Sequence, residues 1–321
     1  MKVSVLGCGR WGSFLAWYNN RIGNKTVSWG MVGEKSYDIL KATRANEYVT
    51  FPPEIELTDD LGKAIAHAET VIISISAQGL RGFIKRIKNY DISGKTFVLC
   101  MKGIEEPSGK RLSEVAIEEG IDKNNLAVWV GPGHIQSFVK GIPNCMVIDS
   151  YNPDLTRRLA DAFKSDLIRF YYGGDIIGTE VGAAAKNVMG IVAGMLDGMG
   201  LSELKGPLMA RGSREVARLT KALGGSEFSA YGLCHLGDYE TTLFSRYSHN
   251  RMWGESYARG EKFDRLAEGV PTAGALCVLA DKCGVDMPIT REVYDMINNN
   301  TPPKEALERL FGRSTKDEFY L

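Results

Sequence analysis

Short apolar runs punctuate the first half of the chain, each separated from the next by a stretch of helix or loop length. Residues 2–6, 26–29, 70–75, 96–101, 126–130 and 145–148 are of this kind, and 167–172 adds one more. Their apolar residues are consecutive, as in the β-branched run Val71-Ile72-Ile73, which predicts strands of a parallel sheet covered on both faces. An opening strand–helix–strand unit of this type predicts a doubly wound α/β fold. After Tyr172 the period changes. Ile177, Val181, Ala184, Val188, Ile191, Met195 and Met199 recur at intervals of three and four, one stripe of a helix. Segments 207–223, 271–282, 290–298 and 304–311 also read as helical. The pattern predicts a Rossmann-type domain over residues 1–174 and an all-α domain over 175–321, with the turn at Gly173-Gly174 between them.

Composition narrows the function. A chain of 321 residues suits two domains, and 39 basic residues against 39 acidic ones give no net charge. The basic footprint of a nucleic-acid binder is missing. No uninterrupted apolar stretch reaches the roughly 20 residues of a bilayer span, so membrane insertion is not expected. The first residues meet Gly7 too early for a secretory leader. Six cysteines without a C-x-x-C pair predict reduced, mostly core thiols, a cytoplasmic setting and no metal site.

Gly7-Cys8-Gly9-Arg10-Trp11-Gly12 fits G-x-G-x-x-G directly after a strand and at the start of a helix over 13–20. In that place the pattern predicts a dinucleotide site. Gly7 makes the turn, Gly9 lets a pyrophosphate approach the backbone, Gly12 lets helix and strand touch, and the helix N-terminus faces the phosphates. The end of the second strand reads Ser28-Trp29-Gly30-Met31-Val32-Gly33-Glu34-Lys35. Glu34 favours NAD and Lys35 favours NADP, which leaves the nucleotide open. The helix 177–200 holds only Glu180, Lys186 and Asp197 as charges among many Gly and Ala. Small residues predict close helix neighbours, and a desolvated Lys186 would lose part of its basicity and could move protons. A snorkelling lysine is the competing reading.

Taken in order, these motifs resemble the soluble NAD(P)-dependent glycerol-3-phosphate dehydrogenases of bacterial type. The resemblance runs from Lys2 to about Ile289. It is carried by the glycine loop with Trp11, Arg44-Ala45-Asn46-Glu47-Tyr48, Met101-Lys102-Gly103-Ile104-Glu105, Gly131-Pro132-Gly133-His134 and Gly141-Ile142-Pro143. The helical half adds Glu180-Val181-Gly182, Ala185-Lys186-Asn187-Val188, Asp197-Gly198, Arg211-Gly212, Gly237-Asp238, Thr242, Ser248-His249-Asn250-Arg251, Glu268-Gly269-Val270-Pro271-Thr272 and Met287-Pro288-Ile289. The resemblance implies reversible reduction of dihydroxyacetone phosphate to sn-glycerol 3-phosphate. It makes Lys186 the proton donor and acceptor, with Lys102 and Asp238 in support. It implies cofactor contacts from Gly7, Gly9, Trp11, Gly12, Lys102 and Glu268. Substrate contacts would come from Lys102, Gly131, Gly133, Lys186, Asp238, Thr242, Ser248, His249, Asn250 and Arg251. A homodimer is expected by analogy. Asp197 and Arg211 read equally well as a structural pair.

Three positions depart from the family. His249 stands where an arginine usually precedes the asparagine, and Ser137 where the loop usually has a glutamate. Met31 replaces an arginine often used for a 2′-phosphate, which tilts the expectation toward NAD. Histidine carries full charge only below about pH 6.5, so a paralogue acting on another small phosphorylated or anionic ketone or alcohol stays open. So do a β-hydroxyacid dehydrogenase and, of a different class, a catalytically silent NAD(P)-binding redox sensor.

Overall fold

A computed structural model of the chain describes residues 1–318. The first half runs β1 (Lys2–Leu6), α1 (Arg10–Arg21), β2 (Lys25–Trp29), α2 (Lys35–Thr43), β3 (Glu56–Thr58), α3 (Leu61–His67), β4 (Thr70–Ile73), α4 (Leu80–Ile87) and β5 (Thr96–Leu99). It continues through β6 (Ile104–Glu105), β7 (Lys110–Arg111), α5 (Leu112–Glu118), β8 (Leu126–Val130), α6 (Ile135–Val139), β9 (Asn144–Ser150), α7 (Pro153–Phe163) and β10 (Ile168–Tyr172). The second half is helical: α8 (Ile176–Gly198), α9 (Lys205–Ala222), α10 (His249–Ala258), α11 (Gly269–Cys283), α12 (Pro288–Asn299) and α13 (Pro303–Phe311).

Eight strands form one sheet in the order β10-β9-β8-β5-β4-β1-β2-β3. The crossover from β1–β2–β3 on one side to β4–β5–β8 on the other is the doubly wound arrangement expected from the sequence. Apolar clusters cover both faces. Phe14, Leu15, Tyr18 and Trp129 lie in one of them, and Val71, Ile84, Phe97 and Val128 in the other. The sheet is not wholly parallel, however: β9 runs antiparallel to β8, with Trp129 opposite Ile148. The connection between them holds only α6, of 5 residues, too short to carry the chain back along the sheet for a parallel return. The small strand β3 and the hairpin β6–β7 went unpredicted, being only 2 or 3 residues long and polar. Conversely, β4 stops at Ile73 and β5 at Leu99, short of the apolar runs that announced them. The leftover residues Ser74 to Ser76 and Cys100 to Lys102 leave the sheet edge and line a cleft.

The helical half is organised on α8, whose 23 residues are apolar enough to cross a membrane by length and composition. Within this protein 89% of its apolar window is buried. Gly194 and Gly254 explain how. A Cβ on Gly194 would lie 1.8 Å from the Arg251 carbonyl oxygen, and one on Gly254 would lie 2.0 Å from that of Ile191. The backbones of α8 and α10 therefore touch, and neither position has room for any side chain. The stripe Val181, Ala184, Val188, Ile191 and Met195 is buried against α9, α11 and α12, as its spacing predicted.

Candidate active site

A cleft of about 630 Å³ opens where the carboxyl ends of β1, β4 and β5 face α8 and the start of α10. This is the edge of an open α/β sheet at which ligands bind. Its walls include Gly7, Gly9, Arg10 and Trp11 from the glycine loop, Lys102 beyond β5, Gly133 and His134 beyond β8, Lys186 and Asn187 from α8, and Thr242 with Tyr247 to Asn250 and Glu268.

The glycine loop is closed on itself and open to the cleft. Gly7 has φ of +119°, and a Cβ there would lie 2.1 Å from the Ser74 carbonyl oxygen. At Gly12 a Cβ would lie 2.0 Å from the Gly7 carbonyl oxygen, so Gly12 serves strand–helix contact and does not line the cleft. At Gly9 nothing lies within 4 Å, which leaves room for an anion above the N-terminus of α1. Trp11 packs on Phe14 with ring centroids 4.9 Å apart. Across the cleft the Glu268 carboxylate is buried. One oxygen accepts a long bond of 3.5 Å from the Ala77 N–H, and the other has no hydrogen-bond partner among the described residues. Burial pushes this carboxyl up. An unpaired buried acceptor beside an open glycine loop suits a ligand bearing amide or hydroxyl donors next to a pyrophosphate, as a nicotinamide dinucleotide does.

Two ammonium groups meet one carboxylate at the floor. Asp238 Oδ2 lies 2.7 Å from Lys102 Nζ and 2.9 Å from Lys186 Nζ, and Thr241 donates its hydroxyl to Oδ1. Lys102 also donates to the Gly131 carbonyl at 2.6 Å, and Lys186 to Thr242 Oγ1 at 2.8 Å. Lys186 is only 7% exposed and Asp238 is fully buried. Burial drives the Lys186 ammonium down to about 8; Asp238 opposes this and the Lys102 charge adds to it. Burial pushes the Asp238 carboxyl up, but the two lysines outweigh it and hold it below the usual carboxylate range. Lys186 is held by the middle of α8. Asp238, Thr241 and Thr242 come from a tight turn followed by a π-helical turn over Glu240–Phe244, a geometry common at functional sites.

The far end holds Ser248, His249 and Asn250. Ser248 caps α10, its hydroxyl accepting from Arg251 N, and Asn250 Oδ1 accepts from Gly269 N at 2.8 Å. His249 Nδ1 lies 3.2 Å from the Leu266 carbonyl oxygen. Two expectations need correction here. Arg251 does not line the cleft: its guanidinium is 2.7 Å from Asp197 and 3.1 Å from Glu255, drawn off by two carboxylates. Asp197 is structural as one reading had it, but its partners are Arg251 and Lys205, not Arg211. Gly131 reaches the site only through its carbonyl on Lys102, because Met146 closes in behind it.

Comparison with known proteins decides the family. Residues 2–156 match the N-terminal region of NAD-dependent glycerol-3-phosphate dehydrogenase, and residues 175–308 match its C-terminal region. The chain belongs to the NAD-dependent glycerol-3-phosphate dehydrogenase family. Glycerol-3-phosphate dehydrogenase [NAD(P)+] of Prosthecochloris aestuarii is 34% identical over 99% of this chain and 100% of its own length. The enzyme of that name from Clostridium botulinum is 36% identical, covering 99% of each chain. The crystal structure of glycerol-3-phosphate dehydrogenase from Coxiella burnetii superposes with a TM-score of 0.89 at 26% identity, covering 97% of this chain and 99% of that one.

Within the family frame, the residues that sequence reasoning passed over are Arg10, His134, Asn187, Thr241 and Tyr247. Asn187 donates to the Lys102 carbonyl at 3.0 Å, tying α8 to the segment beyond β5. Its place beside Lys186 in the motif was the available signal. His134 has a buried Nε2 without a hydrogen-bond partner, and burial with the Lys186 charge lowers it to about 4, so its ring is neutral. Its ring meets that of Tyr247 edge-on at 5.6 Å. His134 closes the quoted Gly131-Pro132-Gly133-His134 motif, whose glycines drew the reading, and Tyr247 stands just outside Ser248-His249-Asn250-Arg251.

Proposed function

We propose that the protein catalyses the reversible NAD(P)H-dependent reduction of dihydroxyacetone phosphate to sn-glycerol 3-phosphate, with Lys186 as the proton donor and acceptor. The observation that carries this reading is the Lys186–Asp238–Lys102 cluster at the foot of a dinucleotide cleft. The bound nicotinamide supplies a hydride to the carbonyl carbon. Lys186 and Lys102 place positive charge beside the carbonyl oxygen as it becomes an alkoxide, and Lys186 hands its proton to that oxygen. Asp238 keeps Lys186 cationic enough to be charged near neutrality, and Thr242 fixes its direction. In the oxidation the neutral Lys186 amine takes the proton back.

Gly7, Gly9 and Trp11 would hold the cofactor backbone, and Glu268 its amide or hydroxyl donors. Gly133, Ser248, His249 and Asn250 would hold the substrate. Glu34 lines the cleft and Lys35 does not, which with Met31 favours NAD over NADP. A two-domain division at 174 goes with this reading, the sheet half holding cofactor and the helical half supplying acid and base. A homodimer and a cytoplasmic setting rest on the resemblance, and the six unpaired cysteines fit the latter.

The test is oxidation of NADH and of NADPH by the purified protein with dihydroxyacetone phosphate, followed at 340 nm. Fast oxidation supports the reading, and the two rates rank the nucleotides. Cofactor binding without oxidation would shift the assignment to another small anionic ketone, the reading favoured by His249 in place of arginine.

A further inference from the structure

Arg246, His249 and Arg251, the basic residues in and beside Ser248 to Asn250 in the chain, are engaged elsewhere. Arg251 is held by Asp197 and Glu255. Arg246 is exposed, lying 5.1 Å from the centroid of the Tyr247 ring and donating to its hydroxyl at 3.0 Å. His249 turns Nδ1 to the Leu266 carbonyl. A carbonyl only accepts, so Nδ1 carries the proton, and Nε2 of the neutral ring is left as an acceptor. Burial and the charge of Arg10 hold the ring toward that neutral form. A ring nitrogen that can only accept does not attract a phosphate oxygen.

Arg10 differs from all three. It lines the same cleft and is half-buried. Its guanidinium carbon sits 5.6 Å from the centroid of the Tyr48 ring, and it forms no salt bridge among the described residues. It opens α1, whose dipole disfavours a cation there, and the first turn of α1 has no acidic residue to offset it. Its charge reaches both His249 and His134, which line the substrate end beside Lys186. We propose that Arg10 is the phosphate-binding cation of the substrate subsite, supplying from the glycine loop what the family motif supplies from position 249. This rests on the phosphorylated-substrate reading above. A guanidinium on a ring platform presents a planar fork suited to phosphate oxygens.

The cofactor's pyrophosphate offers the same chemistry, and the experiment separates the two. In Arg10→Gln the KM for dihydroxyacetone phosphate and the inhibition constant of inorganic phosphate should both rise roughly 10–100-fold, the range of a lost charge-assisted contact. The dissociation constant of NADH, from fluorescence titration, should move less than about threefold, since the backbone and helix contacts to pyrophosphate remain. In Arg10→Gln/His249→Arg the substrate KM should return most of the way. A tenfold loss of NADH affinity with an unchanged substrate KM overturns the proposal in favour of the cofactor. Failure of His249→Arg to restore the KM overturns it as well. Binding of inorganic phosphate to the NADH-loaded protein needs no turnover. If the parent protein binds phosphate through Arg10 yet reduces no dihydroxyacetone phosphate, the activity falls and this inference stands.

Discussion

Two clusters around α8 have a similar make-up and different behaviour. At one, Asp238 is flanked by Lys102 and Lys186. At the other, about three turns further along α8, Asp197 is flanked by Lys205 and Arg251. The second lies between packed helices, away from the cleft. Arg251 has Glu255 as an extra carboxylate, and Lys205 donates to the Leu243 carbonyl at 2.9 Å. It joins α8, α9 and α10, and against the burial that raises it the Asp197 carboxyl is held low by Lys205, Ser202 and Arg251. The first opens onto a cleft, and burial, with the Lys102 charge adding to it and Asp238 opposing it, makes Lys186 give up its proton near pH 8. A carboxylate between two cations is thus a staple where packed helices enclose it and an acid–base device where one of its cations lines a cleft.

The largest effect should come from removing the device. Lys186→Ala should lower turnover by about 10²–10⁴-fold, the usual worth of a general acid, with little change in cofactor affinity or melting temperature. A fall in cofactor affinity with intact turnover would break the comparison. Next, Asp197→Ala should destabilise the fold by about 3 kcal/mol, because it leaves Lys205 without its counter-ion in a mostly buried place. Denaturant midpoints would show this, while turnover per folded molecule should stay within about threefold, since the acid–base groups are untouched.

A pH profile sharpens the contrast. Reduction needs the Lys186 ammonium, so its rate should fall as pH rises through about 8. Oxidation needs the amine and should fall as pH drops through the same value. In Asp238→Asn the carboxylate that raises Lys186 is gone while Lys102 stays, so both midpoints should move down. A midpoint that stays put would remove Asp238 from the proton chemistry. The smallest effect is at Thr242. Thr242→Val removes the hydrogen bond that the Lys186 ammonium donates to a neutral hydroxyl and should cost about tenfold in turnover, near 1.5 kcal/mol.

Legibility followed the same divide. The glycine loop, the β-branched runs and the small-residue helix could be read directly, because each follows from local backbone and packing demands. Helix boundaries came within a few residues, as for α12 against the expected 290–298. The antiparallel β9 could not be read, since an apolar run does not encode direction. Lys186, Lys102 and Asp238 lie far apart in the chain, and their meeting rested on family resemblance until the 2.7 and 2.9 Å contacts joined them. The direction in which Arg251 points was out of reach for a physical reason. A long side chain goes to the strongest countercharge available, and Asp197 stands 54 positions away.

The glycine contact between α8 and α10 has a mechanical consequence. With Gly194 against Arg251 and Gly254 against Ile191, the two backbones interlock and cannot slide or change spacing without collision. The helix that carries Lys186 and the helix that begins at His249 therefore behave as a single stiff part. Any closing of the cleft on its contents must swing that part whole against the sheet, and the distance from the proton-carrying lysine to the Ser248 to Asn250 rim acts as a fixed ruler. A substrate one carbon longer or shorter would have to be accommodated by the flanking loops, not by this pair of helices.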